Sequence, residues 1–184
     1  MVLRRITALT RMLLGGGFLW MGVDKLRDSE FLYGGLMHRI RETGMPFPLY
    51  EQFLLRFVEI RQEQYAYASA IGEILVGVSL LLGLWVSFGS LAGAFLVMNF
   101  GLATTWNNPP MMAVHFLLAA LLIVLGWRGA SLTWGLDRRL ANLINQRLLL
   151  FPWRPEIPVD PVKFVPLYPP GTRRPYISPP QKRG

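Results

Sequence analysis

The hydrophobic positions of this chain gather into long runs, not into short alternating patterns. Four runs, residues 6–23, 67–86, 88–106 and 111–127, reach or approach the length that crosses a bilayer. Spanning the hydrocarbon takes about 20 apolar residues, with a range of roughly 17 to 25. The runs predict an all-α membrane protein built as a four-transmembrane-helix bundle. Little more than a hinge around Ser87 separates the second run from the third, which predicts a tight antiparallel hairpin. Between the third and fourth, residues 104–110 (TTWNNPP) read as a turn at a membrane interface, with Trp106 as its aromatic anchor.

Residues 28–64 follow a different pattern. Phe31, Leu32, Leu36, Phe53, Leu54, Phe57 and Val58 are interspersed with charges at helical spacing, interrupted by Gly44, Met45, Pro46, Phe47 and Pro48. This predicts two short amphipathic helices in the loop between the first two spans, lying on the membrane surface or capping the bundle. A further amphipathic stretch over 132–150 predicts a surface helix. From Pro152 onward the chain is proline-rich, with pairs at Pro169-Pro170 and Pro179-Pro180. Such a tail is extended and cannot build a core of its own. The predicted organisation is a transmembrane domain over 1–151 followed by a basic, Pro-rich tail over 152–184.

Composition agrees with lipid as the solvent. The 184 residues are 52% hydrophobic and only 16% charged, where a soluble domain carries about a quarter charged residues. Arg4 and Arg5 ahead of the first run resemble a secretory signal. No small-x-small cleavage site follows, however, and the run continues through Trp20, Met21 and Gly22 to Asp24 and Lys25, so a retained helix is expected. The absence of cysteine excludes disulfides, thiolate metal sites and thiol catalysis.

The net charge of +8 raises nucleic acid as a partner. In a membrane chain it is better explained by Lys/Arg-rich cytoplasmic segments that attract anionic lipid headgroups. Arg4, Arg5 and Arg11 flank the start, and basic residues recur from Arg128 to Arg183. In the 28–64 loop and its edges acids offset the basic residues. Both termini are therefore expected in the cytoplasm of a multi-pass protein of the cell's inner (plasma) membrane, with the amphipathic loop outside.

Polar residues within the spans are few, and each is a candidate for function. Glu73 lies early in the second span, His115 early in the fourth, Asn99 late in the third, and Asp24 and Lys25 at the end of the first, one turn beyond Trp20. At a rise of about 1.5 Å per residue all fall at a similar depth. An ionised Glu73 alone in hydrocarbon costs about 2.5 kcal/mol or more at a helix centre, so Lys25 or His115 is expected as its partner. Two readings remain open. In one, Glu73, Lys25 and His115 bind or deprotonate a quinol-type headgroup, with Trp20 and Asn99 shaping the pocket. In the other, the cluster only locks the helices together.

The glycines have a packing explanation. Gly15, Gly16, Gly17, Gly22, Gly72, Gly77, Gly89 and Gly93 let helices approach closely, and Gly89-Ser90-Leu91-Ala92-Gly93 is a GxxxG. No strand precedes them, which argues against nucleotide binding. Trp85, Trp106, Trp127, Trp134 and Trp153 mark interfaces. His38 has no second ligand at metal-site spacing, so no metal is expected.

Taken together, these segments resemble a known family. Gly15-Gly16-Gly17-Phe18, Gly22-Val23-Asp24-Lys25-Leu26, Glu73-Ile74-Leu75-Val76-Gly77 and Leu82-Gly83-Leu84 are similar in order and spacing to DoxX/DoxD membrane proteins. Gly129-Ala130-Ser131-Leu132 with Leu136-Asp137 resembles the family's G-x-x-S-L-D ending, with an insertion before the Asp. The loop segment Pro48 to Leu54 is similar to the DoxD branch. The likeness covers about residues 11–139 and not the tail.

It implies a four-helix bundle that in some members is the small, quinone-facing subunit of thiosulfate:quinone oxidoreductase. Lys25 and Glu73 match the family's recurring polar positions, whereas His115 matches no motif. Two functions follow. The favoured one is an accessory subunit of a larger respiratory or photosynthetic membrane complex, docked by glycine-rich faces and the tail. The alternative is a quinone-reactive subunit. No cofactor-binding motif is present, so quinone or lipid is the expected ligand, and any redox reaction needs a partner carrying a redox centre.

Overall fold

The computed structural model of the protein describes residues 2–43, 47–127 and 134–137. Among the described residues there are six α-helices: α1 (Val2–Arg27), α2 (Leu36–Thr43), α3 (Pro48–Phe53), α4 (Gln62–Leu82), α5 (Val86–Thr104) and α6 (Pro109–Trp127). Helix α1, the stretch running from α3 into α4, α5 and α6 are each long and apolar enough to cross a membrane, so the chain is a helical membrane bundle. The tail over 152–184, and the expected surface helix over 132–150 apart from residues 134–137, lie outside the described residues.

Local chemistry sets the helix ends. Helix α4 stops at Leu82 because Gly83 takes a left-handed conformation (φ 65°) and its N–H donates to the Ser79 carbonyl. Glycine enters that region without a Cβ penalty. The hairpin between the second and third spans therefore turns at Gly83–Trp85, ahead of the hinge expected at Ser87. Ser87 instead lies buried inside α5, and its hydroxyl donates to the Gly126 carbonyl of α6 at 3.3 Å. A polar side chain that reads as a break in the sequence is here a cross-link between helices. Helix α6 opens on Pro109, whose missing N–H costs nothing in a first turn. Asn108 caps it by accepting from the Met111 N–H at 3.3 Å.

The amphipathic loop forms a lid over one end of the bundle. Phe31, Leu32, Leu36, Met37, Ile40, Leu54 and Val58 bury their side chains with Ala66 of α4 and Ala103 of α5. A kink at Tyr33 and Gly34 (φ 148°) lets the chain fold back after α1. The second amphipathic helix is not a separate surface element. It runs from α3 through irregular helical turns at Leu54–Val58 and Glu59–Arg61 into α4, extending the second span outward. Tyr50 ties this extension to α5 by donating to Asn99 Oδ1 at 3.1 Å.

Within the membrane, α1 packs along α4 and α5 along α6, while α4 and α5 join the two pairs. A Cβ on Gly77 would stand 2.7 Å from the Leu19 backbone nitrogen, and one on Gly15 2.8 Å from that of Leu81. These glycines let α1 and α4 touch backbone to backbone, the usual device where lipid supplies no hydrophobic drive between helices. Phe18, Val76, Leu80, Val86, Val97, Leu122 and Leu125 form the inner core. Leu13, Ile71, Leu75, Phe95, Val114, Leu117 and Val124 face outward. In water that belt would be an aggregation surface; in a bilayer it is the solvated surface. Helices α1 and α6 share no extensive seam.

Candidate functional site

A cavity of about 520 Å³ lies beneath the lid, lined from α1, α4, α5 and α6, and Lys25, Glu73 and His115 converge on it. Lys25 occupies the last turn of α1, where the helix dipole favours a cation. Its Nζ lies 2.5 Å from Glu73 Oε1 of α4, with 15% and 6% of the two side chains exposed. The ammonium also stands 4.1 Å from the centroid of the Phe100 ring and 5.4 Å from that of Phe31. Aromatic faces of this kind attract a partly desolvated cation. The pair is thus held by one short ionic hydrogen bond and two rings.

The carboxylate is only half satisfied. Glu73 Oε2 is buried and has no hydrogen-bond partner among the described residues. A carboxylate offers about four lone-pair sites, and leaving a buried acceptor unmet costs roughly 1–3 kcal/mol, more for a charged group.

His115 lines the same cavity from α6. Its Nδ1 donates to the Met111 carbonyl one turn back at 2.8 Å. The ring rests against Gly101, where a Cβ would come within 2.8 Å of His115 Cβ and Cγ, and it lies 6.3 Å from the Phe100 ring. Glycine at 101 is therefore what lets the imidazole settle against α5. Arg39 of α2 and Asp24 and Asp28 also contribute to the lining.

Glu73, Lys25 and His115 are thus brought together. Trp20 and Asn99 are not part of the cavity wall. Trp20 is 74% exposed on the outer face of α1. Asn99 is spent on the Tyr50 hydroxyl and on the Phe95 carbonyl, to which its Nδ2 donates at 2.8 Å. Both lie near the expected depth, but helical phase turns them away.

A second ionic cluster was not legible in the sequence. Arg11, grouped there with the basic residues flanking the first span, is completely buried, and so is Asp137. Asp137 accepts from the N–H groups of Trp85 (2.8 Å) and Val86 (3.3 Å), while its own N–H donates to the Gly83 carbonyl at 2.9 Å. Arg11 donates to the Trp134 carbonyl at 3.3 Å and feels the charge of Asp137. Together they lock α1, the α4–α5 turn and residues 134–137. The family-like ending at Asp137 was the one available signal, and it carried no partner.

Comparison with curated proteins and with solved structures returns no match. The DoxX family model matches residues 6–106, a stretch that holds Lys25, Glu73 and the lid but ends before His115 and Asp137. That match spans more than half of the 184 residues, and with the four-helix membrane bundle around it the chain belongs to the DoxX family.

Proposed function

We propose that this chain is a quinone-reactive membrane subunit, binding the headgroup of a lipid-borne quinone-type amphiphile under the lid. The observation that carries the reading is the half-satisfied Lys25–Glu73 pair, set with His115 on a cavity of about 520 Å³. A purely structural ion pair gains by meeting every lone pair inside the protein. The loose α1–α6 approach supplies a route from the bilayer, as a ligand with an apolar tail requires. Reducing equivalents come from a partner that carries a redox cofactor. The distribution of Lys and Arg supports a topology with both termini in the cytoplasm and the cavity near the opposite surface.

The accessory reading draws on glycine-rich helix faces and the tail. Gly15, Gly22 and Gly77 are occupied within the chain by the α1–α4 seam, whereas Gly16 and Gly17 have open space beside them. The test is to purify the protein from its native membrane in mild detergent and identify partners and bound amphiphiles by mass spectrometry. Quinone reduction is then assayed in wild type and Glu73→Gln. The expected outcome is a co-purifying quinone-type molecule that the variant loses together with turnover. Full turnover in the variant, with release from a larger assembly only on truncation of 152–184, would leave the accessory reading in its place.

A further inference from the structure

The segment Pro48–Val58 does not run straight on from α4. On a straight continuation of that helix Tyr50 would stand about 18 Å beyond Gln62, at a rise of about 1.5 Å per residue. Its hydroxyl instead donates to Asn99 Oδ1, on α5. Asn99 lies about 7–8 Å inside the end of that helix at Thr104. Arg61 supplies the bend, since it leaves helical geometry at φ −127° and ψ 34°. Phe47, just ahead of the segment, comes back to the same level, where its ring meets that of Trp106 edge-on at 5.7 Å.

The folded-back segment has three sides. Leu54 and Val58 point into the lid core. Glu51, Gln52 and Arg56 are exposed. Leu49, Phe53 and Phe57 recur at every fourth residue, which sets them on one helical side, yet they are 83%, 45% and 57% exposed. Tyr50, Phe53 and Phe57 form a row of rings with centroids 6.5 and 5.5 Å apart. The row starts at α5, where Asn99 bonds the carbonyl of Phe95 one turn further in, and Phe95 faces outward with the lipid-facing belt. The row therefore continues that belt sideways, at a level inside the end of α5.

We infer that this segment is an interfacial anchor, with Leu49, Phe53 and Phe57 seated among the acyl chains of the leaflet on the lid side. Continuity with the belt and the depth at which Tyr50 is tied both favour lipid as the occupant. Amphipathic helices of this kind sit about 5–10 Å into the boundary between headgroups and acyl chains, which matches the level of Asn99. Arg56 is long enough to lift its charge to the headgroups from there. The lid is thus held from two sides, by the protein core under Leu54 and Val58 and by lipid around the aromatic row. The inference stands whatever ligand the cavity takes.

The chain has no cysteine, so a single nitroxide label reports one position. Leu49→Cys, Phe57→Cys, Phe95→Cys and Glu51→Cys are labelled in the full chain in phosphatidylcholine nanodiscs. Collision with oxygen and with a water-soluble nickel chelate is then measured by power-saturation electron paramagnetic resonance. Labels at 49 and 57 are expected to favour oxygen, as the belt label at 95 does, at a depth of about 5–10 Å. The label at 51 is expected to favour nickel. Leu49 is the most exposed of the three, so its replacement spares the fold even where loss of the Phe57 ring does not. Nickel access at 49 and 57 equal to that at 51 would overturn the inference. Shielding from both reagents, the result of a second copy of the chain seated on the row, would overturn it too.

Discussion

Arg11 and Lys25 belong to the same helix, about 21 Å apart along its axis at 1.5 Å per residue, and each is drawn to a carboxylate from a distant part of the chain. Around Arg11 each carboxylate oxygen of Asp137 accepts a backbone N–H, and both residues are sealed from solvent. Around Lys25 the carboxylate of Glu73 has one short contact and one buried oxygen with no donor among the described residues, in a side chain that lines a cavity. Burial of charge alone therefore does not make the two clusters alike. The two differ in whether the protein itself gives each carboxylate oxygen a donor. The cluster at the α4–α5 turn does so for Asp137 and acts as a clamp. The cluster under the lid leaves one open.

The largest effect expected from breaking this contrast is at the clamp. Removing one partner of a buried charged pair costs about 3–5 kcal/mol, so Asp137→Ala should sharply lower the thermal unfolding midpoint in detergent, or prevent recovery of folded protein. Asp137→Asn, which keeps an acceptor for the Trp85 N–H, should lose less. If Asp137→Ala unfolds at the wild-type temperature, the clamp is not structural.

At the lid the expected loss is smaller, because the cavity gives a stranded group access to water. Lys25→Met should cost about 2–3 kcal/mol, below the range for fully sealed pairs. The double variant Lys25→Met with Glu73→Gln should recover most of that stability, since neither charge is then left behind. It should nevertheless fail to bind the quinone-type ligand. A double variant that is stable and still binds would reduce the pair to a helix lock.

Gly77→Ala tests whether the two clusters depend on one seam. Its Cβ would meet the backbone of α1, and overpacking of this kind costs about 1–3 kcal/mol. Both the unfolding midpoint and ligand affinity should fall, because α1 carries Arg11 and Lys25 alike. The smallest effect belongs to Trp20→Leu. An exposed apolar exchange away from special features stays within about 0.5 kcal/mol, and ligand affinity should not change. A clear loss of binding would bring Trp20 back into the site.

The amino-acid sequence by itself determined the solvent and the architecture. Runs of apolar residues long enough to cross hydrocarbon, with few charges inside them, have no other stable arrangement than spanning helices, since lipid cannot hydrogen-bond a free backbone. It also singled out Glu73, Lys25 and His115, because any polar group in such a run is conspicuous. The tertiary structure decided their use. Helical phase turned Trp20 to the outside and spent Asn99 on the lid, while it set Glu73 against Lys25, a partner 48 positions away. Arg11 and Asp137 meet across 126 positions only because the α4–α5 turn stands between α1 and residues 134–137. Long-range pairing of this kind leaves no periodic trace in a single chain. Neither does the position of an unfilled lone pair, which exists only once every other group around it has found its partner.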